Sequence, residues 1–348
     1  MVPHELEDLL GSWGEPAYRA RQLFGWLHQR AVLDPQRMTD LPLSLRQRLG
    51  PPVGSQELRR LHSQDGLTSK LLLQLQDGQQ IEAVEMRTTS GRKTICVSTQ
   101  AGCAMGCVFC VTGQFGFARN LEAGEVVEQV LRFQRPDRPV TNVVFMGMGE
   151  PLANYDETLR ALRLLVHPAG LHLGARRITL STSGLVPQID QLSHEGLQIG
   201  LAISLHAPND AVRSQLMPVN RRWPIAEVVA AADRYALRTG RRVSYEYTLM
   251  AGLNDADALA DELAALLHGR LCHVNLIPLN PSEDPHLQAS STTRALGFEA
   301  RLRAAGIAAT IRTNRGRDIL AACGQLRLAE KKRQAPTPAP ATVVPVSV

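Results

Sequence analysis

The sequence has few aromatic residues, no segment that resembles a signal peptide and no long apolar run. Each of these absences argues against a class of protein or a mode of binding. Aromatic residues make up only 4% of the chain, so few rings are present to stack on nucleic-acid bases. The chain begins MVPHELEDLL, without the charged and then apolar order of a signal peptide. No apolar stretch approaches the length of a membrane span. We therefore expect a cytoplasmic protein without a membrane segment, whose cysteines stay reduced rather than forming structural disulfides.

The length and composition fit one large core and a smaller accessory unit. The chain has 348 residues, of which 44% are hydrophobic and 20% are charged. Its formal net charge of +5 permits binding to nucleic acid but does not by itself identify that partner.

Three cysteines stand close together in the run GCAMGCVFC, with the spacing Cys103-x3-Cys107-x2-Cys110. Three thiolates can hold three irons of a [4Fe–4S] cluster and leave the fourth iron open to a ligand that is not protein. An open iron can bind the amino and carboxylate groups of S-adenosylmethionine and, once reduced, cleave it to a 5′-deoxyadenosyl radical. The spacing therefore predicts a radical-SAM site.

A structural zinc site is the main alternative for these cysteines. Such a site usually has four ligands, arranged as C-x2-C pairs that a longer loop separates. No histidine lies between His62 and His167, so the only nearby fourth ligand is Cys96. The single tight group of three cysteines favours the iron–sulfur cluster.

The pattern along the chain predicts an α/β protein with a partial (β/α)6 barrel. Residues 1–52 have apolar positions at helical spacing and predict a small helical module. Residues 53–93 alternate as strands do and flank Asp77-Gly78, which predicts a β-hairpin. Strands and helices then alternate over 94–330, with about six strands. Residues 331–348 are rich in proline and alanine, and we expect them to be disordered.

Distinctive polar residues and glycines follow the predicted strands. Chemistry in parallel sheets takes place at the carboxyl ends of the strands, so we expect these residues to meet at one active site. They are Gly149, Glu150, Ser181, Ser204, His206 and Asn280.

The remaining cysteines differ in their surroundings. Cys272 opens an apolar strand and is predicted to be a small buried hydrophobic residue. Cys323 follows Arg312, Arg315 and Arg317, whose charges favour a thiolate. It also follows two alanines, so its residue context alone leaves a buried structural cysteine equally open.

Several motifs in order resemble the RlmN/Cfr family of radical-SAM RNA methyltransferases. They are GCAMGCVFC, MGMGEPLANY, LSTSG, ISLHAPND, LIPLNP and RGRDILAACGQL. The resemblance runs from YRARQLFGWLH to CGQL, about nine tenths of the chain, and ISLHAPND is closer to the RlmN branch. It implies methylation of C2 of adenine 2503 in 23S rRNA and of adenine 37 in tRNAs, with two S-adenosylmethionine consumed per methyl group.

The resemblance also implies residue roles. Cys323 accepts a methyl group from the first S-adenosylmethionine, and the radical from the second activates this S-methyl group to add to the adenine. Cys96 then releases the product by forming a transient disulfide with Cys323. Glu82 matches the proton acceptor, but one extra residue before Cys96 leaves Glu85 open as well. The positions that match contacts to S-adenosylmethionine are Gly149, Glu150, Ser181, Ser204, Leu205, His206 and Asn280.

The partners implied by the family are 23S rRNA, tRNA and a reduced ferredoxin or flavodoxin as electron donor, with the protein acting as a monomer. Candidate contacts to RNA phosphates are Arg19, Arg21, Arg30, Arg176, Arg177 and Arg221. Three alternatives stay open: a Cfr-type enzyme that methylates C8, a radical-SAM enzyme that acts on another substrate, and a non-catalytic iron–sulfur or zinc RNA-binding protein.

Overall fold

The structure is a computed structural model that describes residues 1–50, 54–280, 287–312, 315–321 and 324–325. Cys323 and the predicted disordered tail at 331–348 therefore lie outside the described residues.

The beginning of the chain is helical, as predicted. Its helices are α1 (Pro3–Ser12), α2 (Ala17–Phe24), which continues into a π-helical turn (Gly25–Gln29), and α3 (Leu43–Leu49). Pro3 starts α1 and Glu5 accepts a hydrogen bond from the Val2 backbone at 2.9 Å, a favourable arrangement for a helix start. Leu10 and Phe24 are buried in the same hydrophobic cluster as the main core, so this module packs onto the rest of the protein.

The predicted hairpin is confirmed. It consists of β2 (Thr68–Gln74) and β3 (Gln80–Arg87), and a further strand, β1 (Gln56–His62), pairs antiparallel with β2. Between β2 and β3 the Asp77 carboxylate accepts a hydrogen bond from the Gln79 backbone at 3.0 Å, and Gly78 has a φ of 82°. A left-handed residue of this kind is where glycine has no Cβ to clash.

The remaining strands form the core. They are β4 (Lys93–Cys96), β5 (Gln100–Gly102), β6 (Phe117–Asn120), β7 (Asn142–Phe145), β8 (Ile178–Thr182), β9 (Gly200–Ser204), β10 (Val243–Leu249), β11 (Cys272–Pro278) and β12 (Ala309–Ile311). The main sheet has the order β1-β2-β3-β4-β7-β8-β9-β10-β11-β12, and its strands run parallel from β4 onward. The parallel strands β4 and β7 to β12 make an open barrel, which confirms the predicted partial barrel of about six strands. β5 and β6 pair antiparallel in a separate two-stranded sheet.

Helices cover this sheet. They are α4 (Val111–Gln114), α5 (Ala123–Leu131), α6 (Tyr155–Val166), α7 (Val186–Ser193), α8 (Asp210–Leu216), α9 (Ile225–Thr239), α10 (Asp257–Leu267) and α11 (Thr292–Ala304). The longer ones follow the helical pattern of the sequence, whereas α4, α7 and α8 have only four, eight and seven residues and give no clear pattern. The Asn209 side chain accepts a hydrogen bond from Val212 and caps α8. Within the described ranges, no helix has the length and apolar character needed to cross a membrane.

Candidate active site

A cavity opens at the carboxyl ends of the parallel strands and collects most of the predicted site residues. Those that line it are Cys103, Cys107, Cys110, Gly149, Glu150, Ser181, Ser204, His206 and Asn280. The prediction that these distant segments meet is therefore confirmed. Leu205 does not line the cavity, because its side chain is buried in the hydrophobic core.

Backbone contacts fix the cysteine loop at the cavity wall. Cys103 donates its backbone N–H to the Gly116 carbonyl at 2.8 Å, and Cys110 donates to Cys107 at 3.1 Å. Gly102 has a φ of 81°, and a Cβ on it would come within 2.0 Å of the Gly116 oxygen. Only glycine fits there, so the residue before Cys103 is part of the loop's construction.

The electrostatics of the thiols favour a positively charged occupant. Burial, with the nearby charge of Cys110, raises the pKa of Cys103 to about 12, and burial raises that of Cys107 well above its usual range. Thiolates here therefore need a cation to stabilise them, which the irons of a cluster supply. Among the described residues, no group of three or more His, Cys, Asp or Glu side chains is arranged closely enough to hold a metal ion. The three thiols share one cavity wall and suit a cluster as the donor type that iron–sulfur centres use.

Glu150 is a buried carboxylate in the loop that follows β7. It accepts hydrogen bonds from the backbones of Leu152 at 3.0 Å and Ser183 at 2.7 Å, and burial raises its pKa. The preceding Gly149 has a φ of 99°, and a Cβ there would lie 2.5 Å from the Gln100 Cβ. The Ser183 hydroxyl is buried beside this carboxylate and lines the same cavity. These groups suit the ammonium and hydroxyl groups of S-adenosylmethionine.

His206 is held as a neutral ring beside the cysteine loop. Its φ is 58°, and its Nδ1 accepts a hydrogen bond from the Thr248 backbone at 2.9 Å. Burial, aided by the nearby charge of Arg213, lowers its pKa to about 3. The Phe109 ring, between two of the loop cysteines, lies 4.5 Å from the imidazole. His206 thus connects the end of β9 to the cysteine loop.

Arg213 is a central residue that the sequence did not reveal. It is completely buried on α8 and donates to the carbonyl oxygens of Leu205 (3.1 Å), Ser183 (2.6 Å) and Ser204 (3.0 Å), and to the side chain of Asn220 (2.8 Å). Burial lowers its pKa to about 10, so it stays charged at neutral pH. It therefore fixes the loops after β8 and β9, which carry the predicted cofactor contacts. The sequence did not indicate Arg213 because the helix that carries it, α8, is too short to show a clear periodic pattern.

The register of the antiparallel strands distinguishes Glu82 from Glu85. Cys96 ends β4 and pairs with Val84 of β3, so both side chains lie on one face of the sheet. Glu82 is two residues from Val84 and lies on the same face as Cys96. Glu85 lies on the opposite face, where it forms an ion pair with Lys93 at 3.0 Å.

The described residues that precede and follow Cys323 in the sequence contact the hairpin and the segment after the cysteine loop. Lys70 forms a buried ion pair with Glu82, with Nζ to Oε1 at 2.8 Å, and also donates to the Leu320 carbonyl at 3.1 Å. Beyond Cys323, the Gly324 carbonyl accepts a hydrogen bond from Val111 at 2.9 Å. Leu320 therefore contacts Lys70, the partner of Glu82, and Gly324 contacts the helix that follows the cysteine loop.

The structure also places the remaining cysteine and the arginines that the sequence analysis named. Cys272 is buried in the core, as predicted. Arg176 and Arg177 precede β8, so they lie at its amino end, the opposite end of the strand from the cavity. Arg221 ends a short 3-10 turn that follows α8 and begins at Pro218, and Pro218 faces Gly106 of the cysteine loop.

The arginines of the helical module lie at its surface. Arg19 and Arg30 stack on the rings of Tyr18 and Trp26, at 4.7 and 4.0 Å from the ring centroids. Arg21 is exposed.

Comparison with protein families gives two matches. Residues 97–263 match the radical SAM superfamily, and residues 1–51 match the ribosomal RNA large subunit methyltransferase N-terminal domain.

Individual relatives match over nearly the whole chain. The "Probable dual-specificity RNA methyltransferase RlmN" of Symbiobacterium thermophilum is 50% identical over 337 residues, covering 94% of this chain and 90% of the relative. The "Ribosomal RNA large subunit methyltransferase N" of Nitrosopumilus maritimus is 46% identical, with 94% and 97% covered. The crystal structure of a radical SAM methyltransferase from Sphaerobacter thermophilus superposes with a TM-score of 0.92 at 52% identity, covering 94% of this chain and 98% of that one.

Proposed function

Because this chain belongs to the RlmN family of radical-SAM RNA methyltransferases, we propose that it methylates C2 of adenine 2503 in 23S rRNA and of adenine 37 in tRNAs. The reaction proceeds through a methylated Cys323 and consumes two S-adenosylmethionine per methyl group. C2 of adenine is an electron-poor ring carbon and does not attack a methyl donor directly, so a radical route is needed.

The cysteine loop and the strand ends divide the work of binding. Cys103, Cys107 and Cys110 hold the [4Fe–4S] cluster, and Glu150 binds the S-adenosylmethionine ammonium group. Gly149, Ser181, Ser204, His206 and Asn280 complete the cofactor site. The cluster and S-adenosylmethionine together supply the 5′-deoxyadenosyl radical.

The observation that carries the proposal is the shared face of Glu82 and Cys96. A resolving thiol and a proton acceptor have to act on the same adenine, so they must lie on one side of the sheet. The register of β3 and β4 satisfies this condition for Glu82 and fails it for Glu85. The bond from Lys70 to Leu320 supports the approach of Cys323 to the same face.

The regions of the chain also receive roles. Residues 1–52 form the RNA-binding module, 53–93 the hairpin that carries Glu82, and 94–330 the catalytic barrel with its C-terminal cysteine. Arg19, Arg21, Arg30 and Arg221 contact phosphates while the adenine leaves its stack, which costs a few kcal/mol. The enzyme acts as a cytoplasmic monomer and takes electrons from a reduced ferredoxin or flavodoxin.

Mass spectrometry of nucleosides from purified rRNA and tRNA tests the function. A deletion strain is complemented with the intact chain, with Cys323→Ala or with Cys272→Ala. Cys272 is the matched control, since it is a buried cysteine at the start of β11 that does not line the cavity. We expect 2-methyladenosine in both RNAs with the intact chain and the control, and none with Cys323→Ala.

Other results would point elsewhere. Formation of 8-methyladenosine would assign the protein to the Cfr-type reaction. Modification of rRNA alone would remove the tRNA part of the proposal. Unchanged 2-methyladenosine with Cys323→Ala would exclude the methylated cysteine as the intermediate.

A further inference from the structure

Glu246 is a buried carboxylate in the cavity to which no motif assigns a role. It lies in the middle of β10, in register with Ser204 of β9 and Asn275 of β11. Its side chain is 5% exposed and lines the same cavity as the cysteines. A carboxylate is rarely buried to this extent without groups that compensate for its lost hydration.

Only one of the two carboxylate oxygens of Glu246 accepts a hydrogen bond from the described residues. Asn275 Nδ2 donates to Oε1 at 2.8 Å, whereas the buried Oε2 accepts no hydrogen bond from the described residues. The guanidinium of Arg312 lies 4.0 Å from Oε2, which is too far for a hydrogen bond. Burial also raises the pKa of Glu246. Among the described residues, Oε2 therefore lacks a hydrogen-bond donor.

A row of polar side chains fixes the orientation of this carboxylate. The Thr310 hydroxyl donates to Asn275 Oδ1 at 3.2 Å, which identifies the other atom of the Asn275 amide as the nitrogen that faces Glu246. Because Oε1 is held by that amide, Oε2 is the atom left for a ligand in the cavity. A glutamine at position 246 would keep the shape but offer only one oxygen, which Asn275 already uses.

We propose that Glu246 Oε2 accepts a hydrogen bond from an adenosine bound in the cavity, either from a ribose hydroxyl or from the exocyclic amine. The inference rests on the proposed function, in which both S-adenosylmethionine and the target nucleotide are adenosines. S-adenosylmethionine is the expected source, because Ser204, which pairs with Glu246 in the sheet, and Glu150, which lines the same cavity, are among its predicted contacts. A bond to a charged acceptor is stronger than one between neutral groups, so its loss is measurable.

Calorimetric binding of S-adenosylhomocysteine to the cluster-containing protein tests this inference. It is compared with analogues that lack the 2′-hydroxyl, the 3′-hydroxyl or the 6-amino group. The intact protein is expected to bind one of the analogues about tenfold more weakly or worse. The E246Q protein should bind S-adenosylhomocysteine as weakly as the intact protein binds that analogue, and should no longer distinguish the two. E246D keeps the charge but withdraws the oxygen, so it should behave like E246Q.

The control is E128Q, the same change in a buried carboxylate that contacts Ser55 and Arg132 and does not line the cavity. It should keep full discrimination between the analogues. A parallel series uses RNA in which the target adenosine lacks the same groups one at a time. Lost discrimination in that series alone assigns Glu246 to the RNA adenosine instead.

If E246Q and E246D discriminate as the intact protein does in both series, the inference is wrong and Glu246 only supports the sheet. Binding of S-adenosylhomocysteine by the intact protein without 2-methyladenosine in RNA would reject the proposed function and leave the role of Glu246 standing. The two failures are therefore distinguishable.

Discussion

Lys70 Nζ lies 2.8 Å from Glu82 Oε1, and both side chains are almost completely buried. The same Lys70 nitrogen reaches the Leu320 carbonyl at 3.1 Å. One cation therefore neutralises the proposed proton acceptor and holds the segment that leads to the proposed methyl carrier. Removing either partner of a buried ion pair leaves an uncompensated charge, which is usually more costly than the pair itself is stabilising.

Lys70→Met is expected to lower the free energy of unfolding by about 3 kcal/mol and to abolish 2-methyladenosine formation. Urea denaturation and nucleoside mass spectrometry measure the two effects. Lys93→Met is the matched control, because Lys93 is equally buried and pairs with Glu85 on the other face of the sheet. It should lose similar stability but retain activity; loss of activity in the control alone would favour Glu85 as the acceptor.

His206 predicts a pH dependence of stability. Its pKa is about 3 in the folded protein and about 6.5 when unfolded, so between these values only the unfolded chain binds the proton. The free energy of unfolding should therefore fall as the pH drops below 6.5, by about 1.4 kcal/mol per pH unit from this residue. His206→Asn tolerates the left-handed backbone and removes the titration.

Urea denaturation of both proteins at pH 7.5 and pH 5 tests this dependence. The intact protein should lose about 2 kcal/mol more than His206→Asn between the two pH values. Parallel losses would show that His206 is not held neutral by burial.

The cysteine loop and strand ends could be predicted from the sequence because they follow local rules. The spacing of Cys103, Cys107 and Cys110 is a property of one short segment. Gly149 and Glu150 directly follow a recognisable strand, and parallel strands bring their carboxyl ends together. The sequence alone was therefore enough to predict that the carboxyl ends of neighbouring strands meet in one cavity.

The residues that were missed depend on register and packing. Glu246 stands within an apolar strand, and only its pairing with Ser204 and Asn275 shows that it faces the cavity. Arg213 lies on a helix of seven residues, which is too short for a clear periodic pattern. Arg176 and Arg177 stand directly before β8, and only the direction of that strand shows that they lie at the opposite end from the cavity.

Arg213→Lys should reduce both stability and cofactor affinity. One ammonium group cannot replace three guanidinium nitrogens that reach Leu205, Ser183 and Asn220 at once. We expect a loss of about 3 kcal/mol in the free energy of unfolding and weaker S-adenosylhomocysteine binding by calorimetry. Arg270→Lys is the control, since Arg270 is a partly exposed arginine that pairs with Asp233, and it should change stability by less than about 1 kcal/mol. Equal effects of the two variants would contradict a special role for Arg213.

Gly149→Ala should separate the backbone requirement of the cofactor site from a general effect of adding a methyl group. At position 149 the φ of 99° disfavours any side chain, and the new Cβ would lie 2.5 Å from the Gln100 Cβ. We expect a loss of about 2 kcal/mol or more and strongly reduced S-adenosylhomocysteine binding. Gly297→Ala is the matched control, because Gly297 lies inside α11 with nothing within 4 Å of the added carbon. Alanine in a helix interior should raise the stability there by up to about 1 kcal/mol and leave binding unchanged. If Gly149→Ala bound the ligand as the intact protein does, the close approach of this backbone to the cofactor would be disproved.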